Sequence, residues 1–170
     1  MVKIAVLIDS EFEESEYSKP VEAFKEKGYE IINLGLEEKK EVHGKRNKLS
    51  VIIDKAVKHV QVDDFDALLI PGGHSPDKLK ANKEAVSFVR EFFLSKKPVF
   101  VICHGPLLLV AADVIKGKKI TGYKAIKQDL IDAKATFLDK EVVIDDNLVS
   151  SREPKDLWAF INACLKKLAT

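Results

Sequence analysis

The sequence Val-Phe-Val-Ile-Cys-His-Gly-Pro at residues 99–106 decides the fold of this chain. Its first four residues are apolar and β-branched or aromatic, a composition typical of a buried strand. The other four interrupt that strand, and an apolar helical pattern follows over residues 107–115. This order predicts a strand, a sharp turn and a helix, with Cys103 presented at the carboxyl edge of a sheet. Backbone N–H groups and the positive end of the helix dipole favour a thiolate there, so Cys103 is a candidate nucleophile.

A structural role is the alternative interpretation of Cys103. Cysteine is a common small core residue, and the end of a strand is an ordinary place to bury one. The rest of the chain favours the nucleophile, because it supplies a glycine pair and carboxylates after other strands. Cys164, by contrast, lies on an apolar helical stripe, where helical spacing alone accounts for it as a core residue.

Apolar strands alternate with helical patterns along the chain. Strands that are apolar on both faces indicate a parallel sheet covered on two sides, so we expect an α/β sandwich. Strands are predicted at residues 3–8, 30–34, 67–70, 99–102, 119–121, 142–144 and 148–150, and a hairpin at residues 41–43 and 49–53. Helices are predicted at residues 16–27, 83–95, 107–115 and from Pro154 onward. Functional sites of such sheets form beyond the carboxyl ends of the strands.

The composition limits the possible partners. The 170 residues fit one domain, residues 1–170. With 28 basic and 27 acidic residues, the charge indicates neither a nucleic acid nor a membrane surface as partner. We expect a cytoplasmic protein, because no secretory signal or membrane-length apolar segment is present and two cysteines form no disulfide framework. No HxxxH, CxxC, GxGxxG or GxxxxGK spacing occurs, so we expect neither a metal nor a cofactor.

Pro71-Gly72-Gly73 follows the predicted strand at residues 67–70. This turn is a candidate oxyanion site, in which the N–H groups of Gly73 and His104 would bind one developing negative oxygen. The alternative is an ordinary turn that needs its glycines only for backbone freedom.

Acids and histidines around these turns supply further candidates. The loop at residues 10–16 holds four carboxylates, and spacing alone does not decide between Glu13 and Glu16 as the partner of the thiol. A buried, protonated carboxyl there would donate a hydrogen bond to the thiolate. His104 is awkward as a base for Cys103, because neighbouring side chains on a helix diverge. Asp77 is either the residue that orients His104 or a helix cap.

Two other histidines, His43 and His59, have no partners at ligand spacing, so we expect both at the surface.

Four motifs give the chain a resemblance to a known family. These are Glu11-Phe12-Glu13 through Glu16 and Pro20, Asp66 to Gly73, Ile102-Cys103-His104-Gly105-Pro106, and Ser150-Ser151-Arg152-Glu153-Pro154. In this order and spacing they resemble the PfpI family of intracellular cysteine peptidases, in the superfamily of the parkinsonism-associated protein deglycase. The resemblance covers essentially the whole chain. It implies a flavodoxin-like three-layer sandwich with a mostly parallel sheet and Cys103 as the nucleophile at its elbow.

The resemblance also implies roles for other residues. Glu16 matches the acid that contacts the thiol, and Asp77 matches an acid that reaches the catalytic His104 from a neighbouring subunit of a dimer or hexamer. The residues implied for the substrate rim are Tyr123, Arg152 and His74. Class I glutamine amidotransferases share the sheet and elbow, but their distal His-x-Glu pair is absent, since no histidine follows His104.

The leading hypothesis is a cysteine-dependent hydrolase or deglycase that acts on electrophilic carbonyls. A peptide would give an acyl-enzyme, whereas an α-oxoaldehyde such as methylglyoxal would give a hemithioacetal that rearranges to a hydroxy acid. Nothing in the sequence shows a groove for an extended peptide, and small aldehydes need only a pocket. The alternatives are a non-enzymatic oxidative-stress sensor whose Cys103 is oxidised, or a chaperone-like binder.

Overall fold

A seven-stranded sheet forms the centre of the computed structural model, which describes residues 1–170. The strands are β1 (Lys3–Leu7), β2 (Glu30–Gly35), β3 (Glu41–His43), β4 (Ser50–Ile52), β5 (Lys55–Ala56), β6 (Ala67–Ile70), β7 (Val99–Ile102), β8 (Lys119–Ile120), β9 (Thr136–Phe137), β10 (Val142–Asp145) and β11 (Leu148–Ser151). The helices are α1 (Glu14–Glu26), α2 (Ser75–Leu79), α3 (Lys83–Leu94), α4 (Pro106–Ala111), α5 (Lys127–Asp132) and α6 (Leu157–Leu168).

The order of strands in the main sheet is β10-β11-β7-β6-β1-β2-β5. All neighbours are parallel except β10 and β11, which pair as an antiparallel hairpin. The mostly parallel sheet is therefore confirmed. Because β6 and β7 lie side by side and run in the same direction, the turns that follow them meet at one edge of the sheet.

Two apolar layers cover the sheet. Successive residues of β1 point to opposite faces, so Ala5 lies in one core cluster and Ile4 in the other. Helices α3 and α4 cover the first face, and α1 and α6 cover the second with Phe24 and Phe160. Phe100 of β7 is fully buried against Phe24, with 6.1 Å between ring centroids. The predicted three-layer sandwich is confirmed.

Several elements differ from the sequence prediction. The helix after the thiol turn, α4, ends at Ala111 rather than at residue 115. The short elements β5, α2, α5 and β9 were not predicted, because pieces of two to six residues carry too little periodicity. The predicted hairpin is present, with β3 and β4 antiparallel in a separate two-stranded sheet. No helix combines the length and the apolar composition needed to cross a bilayer.

Candidate active site

Cys103 forms the predicted elbow directly after β7. Its φ of +61° is a left-handed conformation, which costs an L-residue about 1–2 kcal/mol. Backbone hydrogen bonds hold both sides of it: the Cys103 N–H donates to the Ser151 carbonyl over 3.2 Å, and its carbonyl accepts from the Tyr123 N–H over 3.0 Å. A Cβ on Gly105 would lie 2.6 Å from the Ile70 carbonyl oxygen, so only glycine fits there. The neighbouring segments therefore maintain the strained turn.

The glycine turn after β6 brings the backbone against the thiol. A Cβ on Gly72 would lie 2.6 Å from Glu16 Oε1 and 2.7 Å from the Cys103 Cβ, so this glycine fills the narrow space between the two side chains. Gly73 has a φ of +80°, and a Cβ there would lie 2.5 Å from the backbone N of Glu13. Close approach and left-handed backbone thus both require glycine, which goes beyond an ordinary turn.

Glu16 is fully buried in the first turn of α1. Its Oε1 accepts a hydrogen bond from the Gly72 N–H over 2.8 Å, whereas the equally buried Oε2 has no partner. Burial raises the pKa of Glu16 to about 8, and the charge of nearby Glu13 acts in the same direction. Glu16 therefore holds its proton at pH 7, and Oε2 is the oxygen free to carry it.

The thiol of Cys103 is less acidic than we expected. Burial raises the pKa of Cys103 to about 12, and a negative charge on Glu16 would raise it further. The backbone N–H groups of Gly73 and His104 lower the same pKa, but burial outweighs them. The backbone N–H groups therefore act in the expected direction, and the expectation left out the cost of removing a thiolate from water.

Cys103 and Glu16 form one titrating pair. Two negative charges in a buried site repel each other, so loss of the first proton suppresses loss of the second. A thiolate on Sγ is stabilised when Glu16 is neutral, because two backbone N–H groups favour the thiolate and a protonated Glu16 would donate to it. The geometry therefore favours a reactive form with a thiolate on Cys103 and a neutral Glu16.

Two backbone donors are available beside the sulfur. Neither the Gly73 N–H nor the His104 N–H donates to a backbone carbonyl, and both act on the Cys103 thiolate. Donors that face a thiolate also lie near the oxygen of a carbonyl that the sulfur attacks. Their role as an oxyanion hole stays a prediction, and this geometry supports it.

His104 contacts an acid of its own chain. Its Nδ1 lies 3.3 Å from Asp77 Oδ2, and the Lys80 ammonium lies 3.0 Å from Asp77 Oδ1. Burial opposes ionisation of Asp77, but its hydrogen bonds with Lys80 and His104 lower the pKa of the carboxyl overall. Asp77 lies inside α2 and caps no helix. Helix α2 thus brings the chain's own Asp77 within reach of His104. That a neighbouring subunit supplies this acid stays a prediction.

A cavity of about 300 Å³ opens over the sulfur. Its lining includes Cys103, His104 and the predicted rim residues Tyr123 and His74. The rings of His104 and Tyr123 pack with centroids 5.7 Å apart, which fixes the outer face of the imidazole. The wall thus combines the candidate nucleophile, a half-buried imidazole and a phenol around a space of the size of a small molecule.

Residues 2–167 match the DJ-1/PfpI family. The chain belongs to this family. It is 51% identical to "Putative cysteine protease YraA" of Bacillus subtilis, over 98% of each chain. It is also 51% identical to "Protein/nucleic acid deglycase 2" of Escherichia coli, over 98% of this chain and 97% of the relative. Deglycase PfpI of Pyrococcus furiosus is 42% identical, over 98% of this chain and 99% of the relative.

Solved structures agree with this family assignment. A two-domain protein of Anabaena variabilis, with DJ-1/ThiJ/PfpI-like and ferritin-like domains, superposes with a TM-score of 0.97 and 39% identity. The alignment covers 99% of this chain and 48% of that chain. DJ-1 of Schizosaccharomyces pombe superposes with a TM-score of 0.88 and 26% identity, over 99% of this chain and 93% of that one.

One residue that the PfpI resemblance placed on the rim lies elsewhere. Arg152 donates to Asp156 over 2.8 Å and to Asp139 over 3.0 Å, and it lines a different surface cavity, beside β10 and α6. Its placement on the substrate rim is therefore corrected, because the two carboxylates hold the guanidinium. Its neighbours Glu153 and Pro154 line the Cys103 cavity instead.

Two cations of the cavity were missed, and Glu13 was considered only as a partner of the thiol. Glu13 is buried and pairs with Lys45 over 2.6 Å, and Arg46 lines the same cavity. Lys45 and Arg46 lie in the turn between β3 and β4, and no sequence signal places that turn over the thiol. The structure groups no three or more His, Cys, Asp or Glu side chains that could hold a metal ion.

Proposed function

We propose that this protein of the DJ-1/PfpI family is a cysteine-dependent deglycase that hydrolyses adducts of small α-oxoaldehydes such as methylglyoxal. Relatives named cysteine protease and deglycase cover almost the whole chain, and they support a cysteine-dependent hydrolase. The observation that carries the proposal is the arrangement at the sulfur. Cys103 sits at a strained elbow between the buried carboxyl of Glu16 and two free backbone N–H groups.

The cavity favours a small carbonyl compound over an extended peptide. Its volume of about 300 Å³ accommodates a three-carbon aldehyde together with part of the side chain that it modifies. A peptidase would need an open groove that holds residues on both sides of the scissile bond, and the compact cavity does not suit that task.

The residues present suit each step of such a reaction. The Cys103 thiolate attacks the former aldehyde carbon of the adduct and releases the amine or thiol, which leaves a hemithioacetal on the enzyme. The proton on that carbon then moves to the neighbouring carbonyl carbon through an enediol, which gives a lactoyl thioester. Water hydrolyses the thioester to lactate and restores the thiol. The N–H groups of Gly73 and His104 stabilise the oxyanions, and His104, oriented by Asp77, moves the protons.

We also propose that the protein acts in the cytoplasm and associates with copies of itself as a dimer or hexamer. Both cysteines are free thiols, which supports a reducing compartment. Because Asp77 reaches His104 within the chain, each copy would carry its own Cys-His-Asp set.

The test compares wild type with Cys103→Ser on three substrates: free methylglyoxal, its adduct with N-acetylcysteine, and a fluorogenic peptide. We expect wild type to release lactate from the adduct, and we expect the serine variant to lose at least about 1000-fold in kcat/KM. Turnover of the peptide alone would replace the proposal by a peptidase. If none of the three substrates is converted and peroxide oxidises Cys103 stoichiometrically, the result would favour a redox sensor.

A further inference from the structure

The turn between β3 and β4 brings two cations to the cavity that holds Cys103. Lys45 and Arg46 both line this cavity, together with Glu13 and the reactive pair Cys103 and Glu16. The hydrogen bond with Glu13 raises the pKa of Lys45, and the charges of Cys103 and Glu16 act in the same direction. Lys45 is therefore close enough to Cys103 and Glu16 to interact electrostatically with their charges.

The backbone of this turn is held in place by helix α1 and the segment before it. The Lys45 N–H donates to the Phe12 carbonyl over 2.9 Å. Glu14 Oε2 accepts from the N–H groups of Arg46, over 3.0 Å, and Lys48, over 3.2 Å. The cations thus start from fixed backbone positions, which lowers the entropy lost when they bind a ligand.

Lys45 has an internal partner, whereas Arg46 has none. The Lys45 ammonium lies 2.6 Å from Glu13 Oε2, and its side chain is 36% exposed. The guanidinium of Arg46 forms no hydrogen bond or ion pair with a side chain, and its charge acts only at longer range, on Glu14. Glu153, the third acid of the cavity, lies 3.4 Å from the Lys155 ammonium. The cavity therefore has one cation without an ion-pair partner, Arg46, and one that pairs with Glu13, Lys45.

We propose that Lys45 and Arg46 form an anion-recognition site that selects adducts that carry a carboxylate or a phosphate. Glu13 competes with the substrate anion for Lys45. Its carboxylate pairs with Lys45 before the substrate binds, and the substrate anion then replaces it. The inference rests on the proposed function and names the substrate class of that same site. The carboxylate of a modified amino acid and the phosphate of a modified nucleotide share this chemistry.

The first test uses two substrates that differ in one charge, the methylglyoxal adducts of N-acetylcysteine and of N-acetylcysteine amide. The measured quantity is the ratio of kcat/KM for the carboxylate adduct to that for the amide adduct. This ratio cancels any effect of a variant on the reactivity of Cys103, because both substrates meet the same thiol. Wild type is expected to prefer the carboxylate adduct, and the preference is expected to fall as salt is added.

Variants of the three charged residues shift the ratio in opposite directions. Lys45→Met lowers it by about 5-fold, as expected for loss of one partly exposed ion pair, and Arg46→Gln lowers it by about 2- to 5-fold. Glu13→Gln raises the ratio, because the substrate anion no longer competes with Glu13 for Lys45. Lys45→Arg keeps the preference. The control is Lys48→Met, a cation of the same turn outside the cavity, which leaves the ratio unchanged.

A purely structural role of Lys45 predicts a ratio that no variant moves. That result, or a ratio that Glu13→Gln lowers, would overturn the proposal. A second pair of substrates, the methylglyoxal adducts of GMP and guanosine, distinguishes the source of the anion. A charge preference in either pair supports the site and identifies its anion, and equal turnover within both pairs contradicts it.

A binding measurement keeps the inference testable if wild type turns over no adduct and the proposed function fails. Lactate and lactamide differ only in the charged group, and each is added while iodoacetamide alkylates Cys103. Lactate is expected to slow the alkylation more than lactamide in wild type and to lose that advantage in Lys45→Met. Equal protection by lactate and lactamide would overturn the anion site independently of catalysis.

Discussion

The two cysteines of this chain show what the fold adds to a thiol. Cys164 is fully buried on α6, in the same core cluster as Phe160, and burial raises its pKa well above the usual value. Burial also raises the pKa of Cys103. The difference lies in the surroundings. Cys103 has a left-handed backbone, two free N–H groups and the buried carboxyl of Glu16 beside it, and an open cavity above it. We therefore expect the reactivity of Cys103 to depend on those partners rather than on its exposure alone.

Exchanging each cysteine for serine gives the largest expected contrast. Cys103→Ser is expected to remove at least about 1000-fold of kcat/KM and to leave the free energy of unfolding almost unchanged. Cys164→Ser should keep the activity and lower the free energy of unfolding by about 1–3 kcal/mol, because a hydroxyl enters an apolar layer. Kinetics and urea denaturation of both variants measure the two effects. Equal losses of activity would contradict the assignment of one nucleophile and one core residue.

A methyl group on each of two glycines tests the geometry around Cys103. Gly72→Ala pushes the new Cβ against Glu16 and Cys103, so we expect a loss of about 100-fold in kcat/KM, the typical effect of a 1 Å displacement of reacting groups. Gly28→Ala is the control, because its Cβ meets nothing within 4 Å although its φ is +81°. The control should lose only about 1 kcal/mol of stability. Full activity of Gly72→Ala would show that the tight approach has no role.

Asp77→Ala has a smaller expected effect, a fall in kcat of about 10-fold, because the acid only orients His104. A mixing experiment tests whether a neighbouring subunit supplies this acid. Cys103→Ser and Asp77→Ala are unfolded together, refolded as mixed oligomers and assayed. Since Asp77 and His104 belong to one chain, the mixture should have no more than the average activity of the two variants. A clear gain on mixing would show that a partner chain supplies the acid.

The strands of the sheet could be predicted because each is a short, continuous apolar run bounded by a turn. The strands at residues 67–70 and 99–102 agree with β6 and β7 to the residue. The hairpin of β3 and β4 was predicted from alternation, and His43 and His59 are exposed as expected. Cys164 is a core residue, because a helical stripe determines burial on its own.

The contacts of the site were harder to predict, because they join segments distant in the sequence. The choice of Glu16 over Glu13 needed the family resemblance, since both lie in one acidic loop. The Lys45 contact depends on how the β3–β4 turn docks on α1, which no local pattern encodes. The pKa of Cys103 depends on burial, which a turn motif does not report.

The account depends on the state of Glu16 when Cys103 reacts, and the pH dependence of alkylation tests it most directly. The rate of iodoacetamide alkylation of Cys103 is measured against pH in wild type, Glu16→Gln and Glu16→Leu, with peptide mapping to show that Cys164 stays unmodified. If a neutral Glu16 donates to the thiolate, Glu16→Leu loses that donor, and its midpoint should move up by at least about one pH unit. Glu16→Gln, which keeps an N–H donor, should move less. A midpoint that falls in Glu16→Leu would contradict the account, because it would mean that Glu16 is a carboxylate that repels the thiolate.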